Sequence, residues 1–427
     1  MVHRQLPSLV YEIAQEKNNM NDNTQHFFGL DIGTSAVRCV VGMFDHEHPA
    51  ELSIIGHGIA KNIGMRKGVV VHIDDVKEAI THAVTEAERI SGVQIKSATV
   101  NVNGTHVSGL NSKGVVAISG ANREITTDDR YRAEEAATIM QLPPNREIIQ
   151  VFAKNYRVDG QDNIKDPVGM NGVRLEVDTH IVTAASPTLK SLTAVLERSH
   201  VNLNHITVSS LAAAEAVLNR QQKESGTVLL DIGAGTTNLV VVEDGEIQHV
   251  AILPIGGINI TNDLAIGLKT DLDVAEAVKV GYATLDRPDY DTITLELGGK
   301  EHTFTKSEVH MITEARVDEL FEFVDKELKK IGRSKKLPGG VVIVGGTSKL
   351  PGLADFAKEK LQLPARLGSL QPLQGLVDVI DDLSFATAIG LMQLDMLLMP
   401  EADAIKGNPN QKALGMIQGL LKRFRKS

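Results

Sequence analysis

Two aspartates 200 residues apart each end an apolar run and open a glycine-rich turn, so they are the first residues to examine for chemistry. The two turns contain Asp31, Gly33, Thr34 and Ser35 in the first copy and Asp231, Gly233, Gly235, Thr236 and Thr237 in the second. Glycine lets the backbone turn sharply, so that amides and neighbouring hydroxyls can surround a phosphate group. Either turn alone is also compatible with an ordinary β-hairpin, but two copies in one phase favour a phosphate site.

A third glycine-rich segment follows the apolar run at residues 341–344 and contains Gly345, Gly346 and Thr347. A glycine pair lets a flat base or a ribose approach the backbone closely. The two aspartates could together hold Mg²⁺ through water, because Mg²⁺ keeps much of its hydration shell. A lone aspartate at a turn is usually only a cap, so the argument depends on the duplicated pair.

These motifs need two similar halves to position them, and the local patterns predict such halves. Each phosphate turn reads as a β-hairpin, and helices are predicted over residues 74–91, 127–140 and 186–199. Residues 209–218 begin with serines that can cap a helix and continue with strong helix formers. A further helix is predicted over residues 382–391, whose small residues permit close helix packing.

The composition supports this reading and excludes several classes of protein. A chain of 427 residues exceeds one ordinary core, and with 4% aromatics and no Trp its cores must be aliphatic. Cys39 is the single cysteine, which excludes a disulfide framework and fits a reducing cytosol. The net charge of −10 argues against nucleic-acid binding. No stretch reaches the roughly 18 apolar residues of a membrane span, and residues 1–23 lack the apolar region of a signal peptide.

The three motifs resemble the phosphate-1, phosphate-2 and adenosine motifs of the actin/Hsp70/sugar-kinase ATPase superfamily. Residues 163–174 and 179–183 resemble more specifically the FtsA family of bacterial cell-division actin homologues, as do residues 64–69 and 275–280. The similarity runs from about Phe28 to the end of the chain. It implies an α/β actin-like ATPase fold, with two lobes that each contain a mixed sheet flanked by helices, and with an inserted 1C-type subdomain.

The resemblance also implies ATP and Mg²⁺ in the cleft between the lobes. Glu276 and Lys279, three residues apart on one helical face, are implied to contact the nucleotide, although a surface ion pair would give the same spacing. Asp231 is the candidate for orienting the attacking water, and no other catalytic residue is assigned. FtsA relatives are at most weak ATPases, so nucleotide is expected to act mainly as an assembly switch.

The implied partners are further copies of the chain and FtsZ, a tubulin-like protein whose C-terminal peptide would be tethered to the cytoplasmic face of the inner membrane at the division site. The resemblance places the FtsZ site around residues 311–323, where Arg316 could bind a carboxylate bidentately. Pairing of Arg316 with Glu319 or Glu314 is the alternative. Later division proteins are expected to bind residues 104–178.

The expected boundaries follow the same resemblance, beginning with a disordered N-terminal extension over residues 1–26. The remaining parts are 27–103 and 179–208 (subdomain 1A), 104–178 (1C), 209–256 and 336–381 (2A), 257–335 (2B), 382–399 (return helix to 1A), 400–410 (flexible linker) and 411–427 (amphipathic helix).

Residues 411–427 carry five basic and no acidic residues on an otherwise acidic chain. At about 100° per residue, one helical face would hold Leu414, Ile417, Leu420, Leu421 and Phe424. The opposite face would hold basic residues that include Lys422 and Arg423. A solvated tail would explain the charge but not the apolar face, and a helix docked on its own domain would explain the face but not the charge. A helix lying on an anionic membrane surface explains both, and the FtsA resemblance agrees.

Two other functions share the same superfamily. An actin-like scaffold ATPase of pilus assembly would have the inserted subdomain but would not need a basic amphipathic terminus. A small-molecule kinase would need a catalytic carboxylate and a closed substrate pocket, and the sequence shows no separate base motif. Neither a P-loop, an H-E-x-x-H motif nor a G-x-S-x-G motif is present.

Overall fold

The computed structural model describes residues 24–45, 52–120, 122–140, 142–287, 291–376 and 381–398. The predicted linker 400–410 and the predicted amphipathic helix 411–427 lie outside these ranges, as do residues 1–23. Within them the chain forms two α/β lobes, an inserted sheet and two helices that join the lobes.

The main sheet of lobe one is an antiparallel meander extended by parallel strands. Its members are β1 (Thr24–Ile32), β2 (Ala36–Asp45), β3 (Leu52–Lys61), β6 (Ser97–Val102), β11 (Asn202–Val208) and β19 (Gln374–Gly375). Their order is β11-β6-β1-β2-β3-β19, and a small hairpin, β4 (Met65–Arg66) and β5 (Val69–Val70), lies beside it. β1 begins at Thr24 because β2 extends far enough to pair with it, so residues 24–26 do not belong to the disordered extension that the sequence predicts.

The sheet of lobe two repeats this topology. Its strands are β12 (Thr227–Ile232), β13 (Thr237–Glu243), β14 (Glu246–Leu253), β17 (Gly340–Val344) and β18 (Ala365–Leu367). The order β14-β13-β12-β17-β18 again has three antiparallel strands followed by two parallel ones. Asp31 faces Arg38 across the first hairpin and Asp231 faces Asn238 across the second. The duplication seen in two short motifs therefore extends to five strands of each lobe.

Helices cover the sheets and join the lobes. In chain order they are α1 (Ile73–Ser91), α2 (Thr127–Thr138), α3 (Ser186–Arg198), α4 (Ser209–Val217), α5 (Arg220–Ser225), α6 (Gly257–Gly267), α7 (Leu272–Tyr282), α8 (Lys306–Lys330), α9 (Leu353–Leu361) and α10 (Ala386–Leu398). Lobe two also has the hairpin β15 (Thr292–Leu297) and β16 (Lys300–Thr305). None of the described helices is long and apolar enough to cross a membrane.

The connecting helices α4 and α10 cross in direct backbone contact. A Cβ added at Gly390 of α10 would lie 1.8 Å from the Ala212 carbonyl oxygen of α4. A Cβ added at Gly29 of β1 would lie 2.1 Å from the Ala388 carbonyl oxygen of α10. No side chain fits at either glycine, so these two positions fix how closely α10 packs on both neighbours.

The inserted subdomain is a four-stranded sheet with one helix against it. Its strands are β7 (Ser108–Ala117), β8 (Arg146–Val158), β9 (Gln161–Ile164) and β10 (Arg174–Ala185), in the order β7-β10-β8-β9. α2 packs so closely that a Cβ added at Gly114 would lie 1.9 Å from the Ala133 carbonyl oxygen. Thr126 begins this helix with a capping box. The helix ends at Thr138, slightly before the predicted end at residue 140.

His180 joins the inserted sheet to lobe two. Its Nε2 accepts a 3.1 Å hydrogen bond from the Val250 amide of β14, and its Nδ1 lies 2.9 Å from Asn111 Oδ1. An accepting Nε2 requires the neutral imidazole with its proton on Nδ1. Gly109 leaves room for the ring, since an added Cβ would lie 2.4 Å from Nε2. The contact covers β14, which is an edge strand and would otherwise be open to pairing.

The His180 contact predicts an acid sensitivity of the fold. Burial, with smaller contributions from His249 and Lys154, lowers the pKa of His180 to about 3. The unfolded chain takes up this proton near pH 6.5 and the folded protein does not, so stability is lost as pH falls below that value. The loss between pH 7 and pH 5 is about 2 kcal/mol. We expect His180→Gln, which keeps a neutral acceptor, to lose less stability than the parent over this range in urea unfolding.

His200→Gln provides the matched control, because His200 is exposed. It should leave the difference in unfolding free energy between pH 7 and pH 5 at the parent's value. If His180→Gln shows the same pH dependence as the parent and this control, the neutral-imidazole contact does not exist in solution.

Candidate functional site

The two glycine-rich turns lie opposite each other between the lobes. They share one local geometry, in which the amide of the first glycine, Gly33 or Gly233, donates to the carbonyl three residues later at 3.0 and 2.9 Å. A Cβ added at Gly235 would lie 3.0 Å from the side chain of Thr34. The structure thus brings together the two motifs that the sequence separates by 200 residues.

Asp31 is held by a buried chain of hydrogen bonds that leads to helix α4. Its Oδ1 accepts a 2.6 Å hydrogen bond from Asn101 Nδ2, and Asn101 Oδ1 accepts from the Ile32 amide at 2.7 Å. The same Nδ2 donates to Ser209 Oγ at 2.9 Å, and Ser209 donates to Asn103 Oδ1 at 2.6 Å. Because Ser209 is the first residue of α4, the chain joins the first turn to a connecting helix.

Asp231 is held in a corresponding way from the second connecting helix. Thr387, in the first turn of α10, donates to Asp231 Oδ2 at 3.2 Å, and Asn238 Nδ2 lies 3.5 Å from the same oxygen. The other oxygen, Oδ1, faces the adenosine motif, since a Cβ added at Gly345 would lie 2.5 Å from it. Gly345 also has a φ of +90°, so both the space and the backbone conformation require glycine.

Burial disfavours the charged forms of both carboxyl groups. Burial raises the pKa of Asp31 to about 7, with Arg38 opposing the rise and Asp231 adding to it. Burial also raises the pKa of Asp231. Within the described residues, neither Asp31 Oδ2 nor Asp231 Oδ1 accepts a hydrogen bond.

Two free carboxylate oxygens that face one cleft fit a hydrated Mg²⁺, which prefers oxygen ligands and keeps several waters. In the part of the chain that the structure describes, no group of three or more His, Cys, Asp or Glu could enclose a metal ion directly. That Asp31 and Asp231 hold Mg²⁺ through water stays a prediction, with which their carboxylate oxygens are chemically compatible.

Arg38 is a functional candidate that the sequence reasoning missed. It lies opposite Asp31 in the β1–β2 ladder and favours the charged forms of both aspartates. Its guanidinium carbon lies 5.5 Å from the centre of the Phe385 ring, and its buried Nε has no hydrogen-bond partner among the described residues. Any contact with a phosphate oxygen would be made by the terminal guanidinium nitrogens, since the Nε is buried. A comparison of the two hairpins could have found it, because the second hairpin has Asn238 where the first has Arg38.

The adenosine motif and helices α6 and α7 meet at Gly257. Thr347 Oγ1 donates to the Gly233 carbonyl at 3.0 Å and would lie 2.7 Å from a Cβ added at Gly257. Lys279 Nζ lies 2.6 Å from the Glu276 carboxylate and donates to the Gly257 carbonyl at 3.3 Å. Glu276 and Lys279 therefore form the ion pair that their spacing predicts as the alternative to nucleotide contact. The pair also lies beside the glycine-rich motifs.

The predicted hydroxyl contacts differ in their surroundings. Thr237 is fully buried and donates to the Ile255 carbonyl at 2.8 Å, so its hydroxyl holds the turn and is not available to a ligand. Thr236 is also buried, whereas Ser35 is exposed. Thr34 Oγ1 accepts from the Gly68 amide at 3.1 Å, which leaves its own proton free to donate.

The segment 64–69, noticed in the sequence only for its family resemblance, borders the same cleft. The Lys67 Cα would lie 3.3 Å from a Cβ added at Gly235. Gly68 has a φ of +75°, and a Cβ there would lie 2.6 Å from the Gly104 amide. The hairpin of β4 and β5 thus lies between the two turns, which periodicity alone could not reveal.

Arg316 has carboxylate partners on two helices. It forms ion pairs with Asp263 of α6 and with Glu319 of α8. The Glu319 pair is one alternative that the sequence leaves open, whereas Glu314 pairs with His310 at 3.3 Å. A peptide carboxylate that binds Arg316 would have to share the guanidinium with these groups or displace one of them.

Known proteins are similar to this chain in both sequence and fold. The family model described as cell division protein FtsA matches residues 228–390, and that described as SHS2 domain inserted in FtsA matches residues 104–183. Relatives named cell division protein FtsA include those of Pseudomonas aeruginosa, 36% identical over 85% of this chain and 88% of the relative, and Bacillus subtilis, 37% identical over 87% and 84%. The relative from Neisseria meningitidis serogroup B is 34% identical over 95% of this chain and 99% of its own.

Solved structures share the architecture at low identity. The PilM–PilN type IV pilus biogenesis complex has a TM-score of 0.60 and 17% identity, covering 86% of this chain and 98% of that chain. MreB5 of Spiroplasma citri bound to ADP has a TM-score of 0.51 and 15% identity, covering 86% and 95%. The likeness confirms the predicted α/β actin-like ATPase fold, and the SHS2 match confirms the inserted subdomain.

Proposed function

The chain belongs to the FtsA family of cell division proteins, and we propose that it is an ATP-binding, self-assembling protein that tethers FtsZ to the cytoplasmic face of the inner membrane. The observation that carries the nucleotide part is the pair Asp31 and Asp231, which face one cleft with one free oxygen each. A C-terminal amphipathic helix would supply the membrane contact. Residues 104–178, within the inserted subdomain, would recruit later division proteins.

The cleft offers a suitable group to each part of Mg²⁺–ATP. Bound Mg²⁺ would supply the charge that neutralises the phosphates. Asp31 and Asp231 would hold its water ligands, and Arg38 would donate to a phosphate oxygen. The backbone at Gly345 and Gly346 would lie against the adenosine.

Turnover in this site would be slow. Asp231 is the residue proposed to orient the attacking water, through the oxygen that Thr387 and Asn238 leave free. The carboxylate is already committed to a structural hydrogen bond, which limits how freely it can reorient. We therefore propose nucleotide chiefly as an assembly switch, with at most weak ATPase activity.

Gly346 provides the sharpest test of the nucleotide site. A Cβ at this position meets no atom within 4 Å, so Gly346→Asp should fold normally while placing a negative charge beside the bound nucleotide. We expect the affinity for a fluorescent ATP analogue to fall by at least about 100-fold, because like charges at short range repel strongly. Gly120→Asp in the inserted subdomain adds the same charge away from the motifs and should bind as the parent does. Equal affinity in all three proteins would contradict the site.

The proposed membrane contact rests on residues 411–427, which lie outside the described residues. Each large apolar side chain that is buried contributes about 1.5–3 kcal/mol, and each basic residue near an anionic leaflet contributes about 1 kcal/mol. Several linked copies would bind more tightly through their effective concentration. Membrane attachment and self-assembly would therefore reinforce each other.

The apolar and the electrostatic contributions to membrane binding differ in their response to salt, because salt screens only the attraction between the basic residues and the anionic leaflet. We expect Phe424→Glu to abolish co-sedimentation with anionic vesicles at low and high salt. Neutralising Lys422 and Arg423 should weaken binding mainly at low salt. Gln411→Glu makes the same charge change as Phe424→Glu outside the apolar face and should still co-sediment. A Phe424→Glu protein that sediments fully would return the pilus-type scaffold to consideration.

The proposed FtsZ surface includes Arg316 and exposed apolar side chains near it in sequence and on α6. Met311 is 63% exposed and Ile266 is 77% exposed, so both side chains are available for contact with a partner. Asp263 and Glu319 orient the guanidinium of Arg316. An acidic peptide with apolar residues would suit such a surface.

Charge reversal tests this surface. Arg316→Glu should weaken binding of a labelled FtsZ C-terminal peptide by at least about tenfold, since a charged hydrogen bond contributes about 1.5–3 kcal/mol. Lys326→Glu makes the same reversal on the exposed face of α8, where Lys326 pairs only with Glu322 among the described carboxylates. Fluorescence anisotropy should therefore separate the two variants. Equal losses would point to general electrostatics and not to this site.

The chain shares its fold with the PilM–PilN type IV pilus biogenesis complex at a TM-score of 0.60. That likeness is at 17% identity and shows the fold alone. Relatives named for cell division reach 34–37% identity over most of the chain. They also favour cell division over the small-molecule kinase.

A further inference from the structure

In each aspartate of the cleft, one carboxylate oxygen accepts a hydrogen bond from a protein side chain and the other faces a glycine-rich motif. Asp31 Oδ1 is held by Asn101, and its Oδ2 lies 4.0 Å from a Cβ added at Gly33, on the side of the phosphate turn. Asp231 Oδ2 is held by Thr387, and its Oδ1 faces Gly345 of the adenosine motif. In both copies one oxygen is fixed by the protein and the other faces a glycine-rich motif.

Both fixed oxygens connect to the first turn of a connecting helix. For Asp231 the link is direct, because Thr387 is the second residue of α10. For Asp31 the link passes through Asn101 to Ser209, the first residue of α4. The linking side chains are all buried, with exposed fractions of 4% for Thr387, 2% for Asn101 and 1% for Ser209.

The two helices can pass a displacement to both lobes. They touch each other at Gly390 and Ala212, where no side chain separates their backbones. Helix α10 also meets lobe one at Gly29, where an added Cβ would lie 2.1 Å from the Ala388 carbonyl oxygen, and it meets lobe two at Asp231 through Thr387. A displacement of the first turn of α4 or α10 would therefore be transmitted to both lobes, because packed helices move as units.

We propose that Thr387, and Ser209 acting through Asn101, are positioning residues that couple metal binding at Asp31 and Asp231 to the two connecting helices. The proposal rests on the proposed nucleotide function and adds its regulation. Each hydroxyl fixes the rotation of its carboxylate, so that the free oxygen faces the cleft before the metal arrives. By the reciprocity of coupled equilibria, metal binding then stabilises the hydrogen bond and the helix turn that provides it.

The experiment compares four variants of the full chain. Thr387→Val removes the hydroxyl at nearly constant volume, and Thr387→Ser restores it. Ser209→Ala removes the other hydroxyl. Ser210→Ala is the matched control, because Ser210 is equally buried in the same helix turn but donates to a backbone carbonyl and not to the aspartate network. Circular dichroism establishes that each variant is folded.

The first readout is the Mg²⁺ gain, defined as the dissociation constant of a fluorescent ADP analogue in EDTA divided by that in Mg²⁺. We expect Thr387→Val and Ser209→Ala to reduce this gain about tenfold, the size of one hydrogen bond to a charged group. Thr387→Ser and Ser210→Ala should keep the parent's gain. The ratio cancels any general loss of affinity that a purely structural defect would cause.

The second readout is hydrogen exchange of residues 209–217 and 386–398. In the parent, Mg²⁺ with ADP should slow exchange in both segments more than ADP in EDTA does. Thr387→Val should lose this effect in 386–398, and Ser209→Ala should lose it in 209–217.

If the parent binds ADP with a Mg²⁺ gain, and both hydroxyl deletions match Ser210→Ala in the two readouts, the coupling is wrong while the nucleotide site stands. If the parent binds no ADP in either condition, the proposed nucleotide function is wrong and the coupling falls with it.

Discussion

The close packing of α10 against both lobes is the constraint on which the remaining architecture depends. It requires glycine twice, because Gly29 of β1 meets the Ala388 carbonyl and Gly390 of α10 meets the Ala212 carbonyl at distances that exclude any Cβ. Backbone contact at these two points packs α10 directly against β1 on one side and against α4 on the other. As a result, the first turn of α10 reaches the carboxylate of Asp231 in the opposite lobe. A wider spacing would separate the two lobes and open the site.

The far end of α10 is fixed as firmly by polar contacts. Asp395 is fully buried and accepts hydrogen bonds from the Phe28 amide at 3.0 Å, Thr99 Oγ1 at 2.7 Å and Asn204 Nδ2 at 3.0 Å. The three donors belong to β1, β6 and β11, so one carboxylate ties the helix to three neighbouring strands. Burial raises the pKa of Asp395, and these donors oppose the rise. In the sequence, the predicted linker and the proposed membrane helix follow this end of α10.

The inserted subdomain packs on both lobes through apolar side chains and contacts lobe two through polar groups as well. Apolar side chains at its base, including Phe152 and Val182, belong to a buried core that continues into both lobes and includes Val250 and Ile252 of β14. Its contacts with lobe two include two polar links, from His180 to the Val250 amide and from Lys165 Nζ to the Asp244 carbonyl at 2.8 Å. The inserted subdomain is therefore packed against both lobes, and the two polar links add directional contacts to its packing on lobe two.

The sequence by itself determined the features that depend on neighbours along the chain. Apolar runs, turn glycines and one long-range repeat predicted two similar hairpins that contain Asp31 and Asp231, because such patterns are local. The family resemblance implied the two α/β lobes and the cleft between them. The position of Arg38 beside Asp31 could have been predicted in the same way, since both residues belong to the first hairpin. Only the tertiary structure decided which side chains orient the two carboxylates. Asn101 lies 70 residues from Asp31 and Thr387 lies 156 residues from Asp231, and no periodicity relates such positions. Their contacts exist because glycines let the helices and sheets pack closely enough for short polar side chains to meet.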